Sequence, residues 1–432
     1  MNNNKFFGFV FIIALTFSLF LYGKKSWQND LHLRFMYSDE EGYYMYLPAV
    51  FIYGTFENIP VRCDFEYKAY PGTKKILTRF TYGVAFLEAP FWLLAHLSRY
   101  VRGLPLNDPF AEEYSKAILW AACFYTSLGI YFLYFFLQQY FKNRLVVVLS
   151  VAIILLGTNL PYTATRQAGI SHHYTFCLVS LLFYYLPFLF KKKTPSVKMV
   201  VLIGFLSSLI VLIRPTNILI ILVALLFDAQ TWTQMKERGK WFALNKKIIS
   251  IGLLAAITVW IPQIIYWHYL SGNWIFYSYT DAKFLYFSSP YLWQIFFWPC
   301  NGFLIYSPVM VLALIGLGVT AWQNKLQGRW IIFSFAILSY LCASWSCWWF
   351  GGTYGYRSFI DFYPLLALGL AFVLEKMLIK SHLALKIATF SFILVCVVLN
   401  IRMITHYYVQ LSPYGGDFYK LIDSIKLSLW LV

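Results

Sequence analysis

Three adjacent carboxylates, Asp39, Glu40 and Glu41, precede an apolar and aromatic run in the stretch YSDEEGYYMYLPAVFIYG, residues 37–54. The spacing of Ser38 and Glu41 matches a capping box, and acids in a first helical turn also suit the helix dipole. Capping does not require three acids, however, and a carboxylate placed beside a substrate accepts the proton of an attacking hydroxyl group. We therefore predict that Asp39 acts as a general base, with capping as the competing interpretation.

The residues after these acids predict how the carboxylates are held. Apolar side chains recur at a spacing of three or four residues, which is typical of a helix that lies flat on a membrane surface. Pro48 is expected to kink this helix. The residues of the apolar stripe are Tyr43, Tyr46, Leu47, Val50 and Phe51.

Four further segments each place a single cation in an otherwise apolar or aromatic setting. Arginine presents a planar fork of donors that suits phosphate, and a charge at a membrane edge usually faces a cavity or a partner. Pairing with lipid headgroups or capping of a helix is the alternative for each cation. Arg357 is also spaced four residues from Asp361, as in a helical ion pair. The four cations are Arg166 in GTNLPYTATRQAGISHHYTF, Arg214 in VLIRPTNILI, Lys283, and Arg357 in WSCWWFGGTYGYRSFIDFYP.

The same segments contain histidines and tryptophans that suit a binding site. His172 and His173 are adjacent, so they cannot face the same way on a helix, and a metal site built on this pair is not expected. One of them near an anionic ligand would act as a hydrogen-bond donor. Trp345, Trp348 and Trp349 are either anchors at the membrane interface or platforms for the apolar face of a sugar.

The composition predicts a helical protein that crosses a membrane many times. Of 432 residues, 60% are hydrophobic and 12% are charged, which is outside the range of soluble globular proteins. The formal net charge of +17 does not indicate nucleic-acid binding, because Lys and Arg collect at the cytoplasmic ends of membrane helices. Seven cysteines without a Cys-x-x-Cys pair predict neither a metal cluster nor a disulfide framework.

Eleven apolar runs are predicted to span the membrane, beginning with an uncleaved first span and a cytoplasmic N-terminus. A twelfth run, 80–98, contains Glu88, Pro90 and His96, and is predicted to lie in the outer interface instead. Eleven spans place the clustered Lys and Arg residues of the short loops inside, as the positive-inside rule requires, whereas twelve would place them outside. The predicted spans are 6–22, 114–137, 145–161, 173–190, 197–213, 217–227, 247–267, 302–322, 330–346, 362–379 and 384–404.

The whole chain, 1–432, is thus predicted to be one all-α transmembrane domain. Residues 23–113 form a large outer loop with juxtamembrane helices, and residues 405–432 form an outer tail. The lone arginines and the three acids then share the outer compartment. We expect a multi-pass protein of the bacterial inner (plasma) membrane, with its active site outside.

These features resemble the C-type glycosyltransferase (GT-C) superfamily. The shared features are acids in the outer loop after the first span (SDEEGYY), interfacial helices in that loop, LIRPTN, and a late WWFGGTYGYRSFIDFYP. Within the superfamily, the chain looks like bacterial relatives of the protein O-mannosyltransferase and lipid A aminoarabinose transferase group. The resemblance implies an enzyme that takes a sugar from a polyprenyl-phosphate carrier. It also implies that Asp39 is paired with Glu40 or Glu41, and that Lys68, in YKAYPGTKK, stands where relatives carry a Lys-Pro-Pro-like segment.

We therefore expect an inverting glycosyltransferase that moves a sugar to an acceptor hydroxyl of a lipid, glycan or protein, with membrane lipids around it and no nucleic-acid partner. The alternatives are a transporter or flippase of lipid-linked glycans and a polymerase that joins them. A divalent cation in the acidic cluster is a further open alternative. The expected catalytic residues are Asp39 and Glu41; the expected ligands of the donor phosphate are Arg357, Arg214, Arg166, His172 and His173; and the expected substrate-binding residues are Glu40, Tyr43, Lys68, Glu88, Trp348, Tyr356 and Asp361.

Overall fold

The computed structural model describes residues 3–25, 36, 38–63, 67–279, 282–325, 327–406 and 418–430. In these ranges, regular structure is helical except for one small antiparallel hairpin, formed by strands β1 (Tyr67–Ala69) and β2 (Ile76–Thr78). The all-α class predicted from the sequence is therefore confirmed.

Helices follow one another along the described chain. The α-helices are α1 (Asn3–Lys25), α2 (Asp39–Tyr44), α3 (Tyr46–Pro48), α4 (Gly83–Val101), α5 (Glu112–Gln138), α6 (Arg144–Leu156), α7 (Leu160–Arg166), α8 (His172–Phe190), α9 (Val197–Ile213), α10 (Ile218–Leu225), α11 (Trp232–Leu244), α12 (Lys246–Ser271), α13 (Leu292–Phe297), α14 (Phe303–Tyr306), α15 (Met310–Trp322), α16 (Gly328–Ser344), α17 (Tyr363–Lys380), α18 (Leu383–His406) and α19 (Phe418–Trp430). A π-helical turn, Ala49–Tyr53, follows α3, and 3₁₀ turns at Pro215–Asn217 and Arg357–Phe362 precede α10 and α17.

Helix length and composition are compatible with a multi-pass membrane protein. Among the described residues, six segments are long and apolar enough to cross a membrane, and the bent pair α6 and α7 would make a seventh. α9, α15, α16 and the segment that contains α10 are apolar but shorter. Each of the eleven predicted spans overlaps one of these helices, but the count of eleven crossings is not confirmed. The six segments are Phe7–Lys24, Glu112–Gln138, His172–Phe190, Lys246–Ser271, Arg357–Ile379 and Leu383–Thr405.

Two pairs of helices pack backbone against backbone through glycines. A Cβ atom on Gly204 of α9 would collide with the backbone carbonyl of Gly252 of α12. A Cβ atom on Gly316 of α15 would collide in the same way with Gly369 of α17. Small residues permit such close approach between helices in a membrane, so these pairs fix the frame around the site.

The segment after the three acids packs into the protein, which differs from the flat surface helix predicted for it. Tyr43, Tyr46 and Leu47 are buried, and only Val50 and Phe51 of the predicted stripe are exposed. The helix is also interrupted, because the chain passes from α2 through α3 into the π-helical turn. The carboxylates are consequently held by packing inside the protein.

The capping box predicted at the start of α2 is wrong. Ser38 has a φ of 60°, a conformation that L-residues other than Asn and Asp rarely adopt, and its side chain makes no capping hydrogen bond. The carboxylate of Glu41 accepts a hydrogen bond from the backbone N–H of Arg62 at 2.7 Å. Glu41 thus ties α2 to the loop that leads to the hairpin.

α4 covers the run predicted to lie in the outer interface. One face, which includes Glu88 and Trp92, is buried against α5 and neighbouring helices, whereas Leu94 and Leu97 on the other face are exposed. α4 is not one of the six candidate spans found in the described ranges. Of the predicted outer tail 405–432, residues 405–406 and α19 are described, and the remaining residues lie outside the described ranges.

Candidate functional site

A large cavity, of about 990 Å³, lies among segments that are far apart in the sequence. The start of α2, the stretch after β2, the turn from α7 to α8, and the turn from α9 to α10 all reach it. The loop between α12 and α13 also reaches it, as does the loop that follows α16. Except for Trp345 and Ser346, the irregular segments of its wall belong to the predicted outer connections, which are 23–113, 162–172, 214–216, 268–301 and 347–361.

The wall of this cavity is divided between charges and aromatic rings. Its charged residues are Arg79, Arg166, Arg214, Arg357, Asp39 and Glu40, and its aromatic residues include Trp260, Trp267, Phe276, Phe284 and Trp345. Four arginines against two carboxylates give the wall an excess of positive charge. A cationic region beside an apolar one suits an amphiphilic ligand with an anionic head.

Seven of the fourteen predicted site residues line the cavity. The seven are Asp39, Glu40, Tyr43, Arg166, His172, Arg214 and Arg357. Lys68 has a side chain outside the described part of the structure, and six others do not line the cavity, namely Glu41, His173, Glu88, Trp348, Tyr356 and Asp361. Arg166, Arg214 and Arg357 each lie more than a hundred residues after the acidic segment in the sequence. The fold thus brings all three arginines and the acidic segment to one wall.

Asp39 and Arg357 form an ion pair on the cavity wall. Nη2 of Arg357 donates to Oδ2 of Asp39, and Nε of Arg357 has no partner among the described residues. Arg357 is only 9% exposed, so its charge depends on this carboxylate for compensation. The helical ion pair between Arg357 and Asp361 that the sequence suggested is wrong, because Asp361 has other partners.

Asp361 organises a second cluster directly behind the wall. Its carboxylate is 1% exposed, accepts from Nδ2 of Asn217 at 2.9 Å, and lies 3.5 Å from Nε of Arg214. Nδ1 of His172 lies 3.0 Å from Oδ1 of Asp361, and Nε2 of His172 lies 2.8 Å from Nη1 of Arg214. These partners favour a neutral His172 that donates through Nδ1 and accepts through Nε2. Asp361 therefore positions Arg214 and His172 and does not itself line the cavity.

Replacing Asp361 with Asn is expected to weaken the binding of an amphiphilic anion to the cavity by about 10- to 100-fold, because Arg214 loses the charge that fixes its position. If Asp361 acts through Arg214, the double variant D361N/R214Q should be no worse than R214Q alone. Equilibrium binding of farnesyl phosphate to the three variants and the wild type measures this coupling. Additive losses would show that Asp361 has a separate role.

Two tyrosines, Tyr43 and Tyr279, line the same wall, and Tyr43 is buried whereas Tyr279 is partly buried. Tyr43 stacks on Phe80 with ring centroids 4.2 Å apart. Burial raises the pKa of Tyr43, and it raises the pKa of Tyr279 to about 12. Both hydroxyls therefore stay protonated at neutral pH and are not proton acceptors of the wall.

Four predicted site residues lie away from the cavity or outside the described side chains. Trp348 is buried and stacks on Tyr291, and the hydroxyl of Tyr356 donates to the carbonyl of Trp348 at 2.8 Å. His173 is buried with its ring 4.2 Å from that of Tyr174. Lys68 belongs to β1, but its side chain lies outside the described part of the structure. Direct contact with a ligand in the cavity is not expected for the first three.

Glu88 is buried within the fold and does not line the cavity. The hydroxyl of Tyr174 lies 3.0 Å from Oε1 of Glu88, and Oε2 has no partner among the described residues. Burial raises the pKa of Glu88 well above its ordinary value of 4.5. Its neutral form is therefore favoured in the folded protein, and Glu88 acts as a packed polar group of α4.

Replacing Glu88 with Gln is expected to remove a pH-dependent loss of stability. Because the folded state holds the proton to a higher pH than the unfolded state, the wild type loses stability as the pH rises above 4.5, up to the raised pKa. The E88Q variant lacks this loss, so its advantage over the wild type should grow by about 1–3 kcal/mol between pH 5 and pH 8. Thermal unfolding in detergent at both pH values measures it, with the exposed Glu112→Gln as control. Parallel curves for E88Q and the wild type would contradict this assignment.

Arg79 is a wall residue that the sequence prediction missed. It follows β2 directly, and its carbonyl accepts a hydrogen bond from the hydroxyl of Ser278 at 2.6 Å. The Pro-Gly turn in YKAYPGTKKILTRF, followed by a β-branched residue, is a recognisable hairpin signal. With that hairpin assigned, Arg79 would have been placed beside the other outer segments.

In the described residues, no group of three or more His, Cys, Asp or Glu side chains is arranged to hold a metal ion. A divalent cation remains an open alternative from the sequence.

No protein-family model matches the chain, and no curated protein matches it. The function proposed below therefore rests on the site and on the resemblance of the sequence motifs.

Proposed function

We propose that the protein is a GT-C-type membrane glycosyltransferase that moves a sugar from a polyprenyl-phosphate donor to an acceptor hydroxyl at the outer face. The observation that supports this most is the meeting of Asp39 with Arg357 and Arg214 on the wall of one cavity. A carboxylate beside arginines meets the two needs of such a transfer, which are a base for the hydroxyl and cations for the departing phosphate.

In this proposal the chain crosses the membrane eleven times. The six long segments, the bent pair and the four shorter apolar helices supply the crossings. The clusters at 191–193 and 236–247 then lie in the cytoplasm, in agreement with the positive-inside rule. The origin of the cavity wall in the predicted outer connections supports a site at the outer face.

The transfer proceeds as one displacement at the anomeric carbon. The acceptor oxygen forms a bond to C1 of the sugar as its proton passes to Asp39, and the bond between C1 and the phosphate oxygen breaks with its electron pair. Arg357 and Arg214, with Arg166 and Arg79 nearby, stabilise the phosphate monoester that leaves. Attack opposite the leaving group inverts the configuration at C1. The aromatic wall, which includes Trp260 and Trp267, accommodates the beginning of the isoprenoid chain.

Purified protein in detergent tests this function against the transporter alternative. We expect it to release prenyl phosphate and glycosylate an acceptor when supplied with a panel of prenyl-phosphate hexoses and pentoses. A transporter needs two compartments and changes no bond, so transport in sealed vesicles without product in detergent would contradict the proposal. The acceptors tested should include a lipid, a glycan and a peptide, because a polymerase differs from other transferases in its acceptor.

A further inference from the structure

The ion pair between Asp39 and Arg357 joins two residues that need different partners during transfer. Asp39 must accept a proton from the acceptor, and Arg357 must hold the donor phosphate. In the structure each satisfies the other, since Oδ2 of Asp39 is bound to Nη2 of Arg357. A carboxylate lone pair that receives a guanidinium hydrogen is not available to a substrate hydroxyl.

A phosphate that binds Arg357 through two hydrogen bonds meets Asp39 at Nη2. The guanidinium offers two forked edges, Nε with Nη2 and Nη1 with Nη2, and each edge uses one of the two hydrogens of Nη2. A phosphate on one edge therefore competes with Asp39 for the same hydrogen, and a phosphate on the other edge lies beside Asp39 at the same nitrogen. The carboxylate and a phosphate on the same group would also repel one another in a site of reduced dielectric constant. Arrival of the phosphate therefore opposes the ion pair.

We propose that this ion pair, the Asp39–Arg357 latch, is opened by the donor: its phosphate takes Arg357 and thereby frees Asp39 to act as base. The inference rests on the proposed function. It predicts a fixed order of binding, in which the acceptor is activated only after the donor has entered. It also predicts that a lipid phosphate that enters the substrate-free protein has to compete with Asp39 for Arg357.

Three observations favour displacement of Asp39 while the arginines stay in place. The Asp39 side chain is 26% exposed to the cavity and begins a short helix, so it has room to turn away. Arg357 is buried, and its Nε lacks a partner in the described part of the chain, so a phosphate oxygen would supply a missing acceptor. Arg214 is fixed by Asp361 and His172, which makes it a stationary second ligand for the same phosphate.

Binding of farnesyl phosphate to the full-length protein in nanodiscs tests the latch without any need for turnover. The Asp39→Asn variant should bind about tenfold more tightly than the wild type, because the competing charge is gone. In an Arg357→Gln background, D39N should give no gain. The adjacent carboxylate on the wall provides a matched control, and Glu40→Gln should tighten binding less than D39N does.

Unchanged or weaker binding by D39N would overturn the latch, and so would an equal gain from E40Q or a gain that persists without Arg357. These results differ from failure of the proposed function. If the wild type transfers sugar but D39N binds farnesyl phosphate no more tightly, only the latch is wrong. If the wild type neither binds farnesyl phosphate nor transfers sugar, the proposed function is wrong as well.

Discussion

The Asp39→Asn variant is expected to transfer sugar about 10²- to 10⁴-fold more slowly than the wild type at saturating substrate, because Asn cannot accept the acceptor proton. The amide keeps the size of the carboxylate and still accepts a hydrogen bond from Arg357, so the fold should be retained. Initial rates with a prenyl-phosphate sugar give kcat and KM for the donor. The donor KM should not rise, because the carboxylate of Asp39 competes with the donor phosphate for Arg357 and does not help to hold it.

Two controls separate a loss of proton transfer in D39N from a loss of folded structure or of wall charge. D39N should unfold at a lower temperature than the wild type, because Arg357 loses its counter-ion, but well above the assay temperature, which would show that the fold is intact under assay conditions. Glu40 is the matched carboxylate on the same wall, and E40Q should lose much less activity. A wild-type kcat for D39N would remove Asp39 from the role of base.

The Arg357→Lys variant is expected to lower kcat/KM for the donor by about 10- to 100-fold although the charge is retained. Lysine is a point charge without the planar fork, so it cannot hold two phosphate oxygens and place them in line with the acceptor. The effect should fall on both donor KM and kcat, since the phosphate carries most charge as it leaves. Kinetics with donor concentration varied measures both parameters.

Arg102→Lys is the matched control for this substitution. Arg102 lies at the end of α4, is exposed, and pairs with Glu113 away from the cavity. Its conversion to Lys should leave transfer unchanged. A wild-type kcat/KM for R357K would indicate that Arg357 serves only as the structural counter-ion of Asp39.

The sequence was sufficient to predict which segments contribute to the site, because this follows from the distribution of charges along the chain. Positive clusters mark the loops predicted to be cytoplasmic, and the remaining single cations then fall in the predicted outer connections. Arg166, Arg214 and Arg357 do line one cavity together with the acidic segment. The apolar runs likewise predict the helices, although only six are long enough to be recognised as spans by length and composition among the described residues.

The sequence was not sufficient to predict which side chains pair within the site, because pairing depends on contacts between segments that are distant in the sequence. Asp39 and Arg357 are 318 residues apart, and local spacing offered Asp361 as the nearer partner for Arg357. The 3₁₀ turn at Arg357–Phe362 and its packing against α8 decide otherwise, since they direct Asp361 toward His172 and Asn217. Sequence spacing assumes a regular helix, and here the helix is irregular where the site is built.

The local prediction at α2 failed for a related reason. Ser38 and Glu41 have the spacing of a capping box, but Glu41 is bonded to the backbone N–H of Arg62, in a segment 21 residues away. The apolar stripe after the acids has the periodicity of a surface helix, yet Tyr43 and Leu47 are buried inside the protein. In a protein whose surroundings are also apolar, periodicity does not distinguish burial in the protein from burial in lipid.

Labelling of the native Cys347 would decide whether a lipid phosphate binds in a cavity open to the outer side, on which the proposed transfer depends. Cys347 lines this cavity and is partly exposed, whereas the other six cysteines are buried. Burial raises the pKa of its thiol, so a membrane-impermeant thiol reagent is applied at alkaline pH to sealed vesicles of known orientation. We expect modification only from the outer side, slowed by farnesyl phosphate and absent in Cys347→Ser. Modification from the cytoplasmic side alone, or at a rate that farnesyl phosphate does not change, would rule out this location of the donor site.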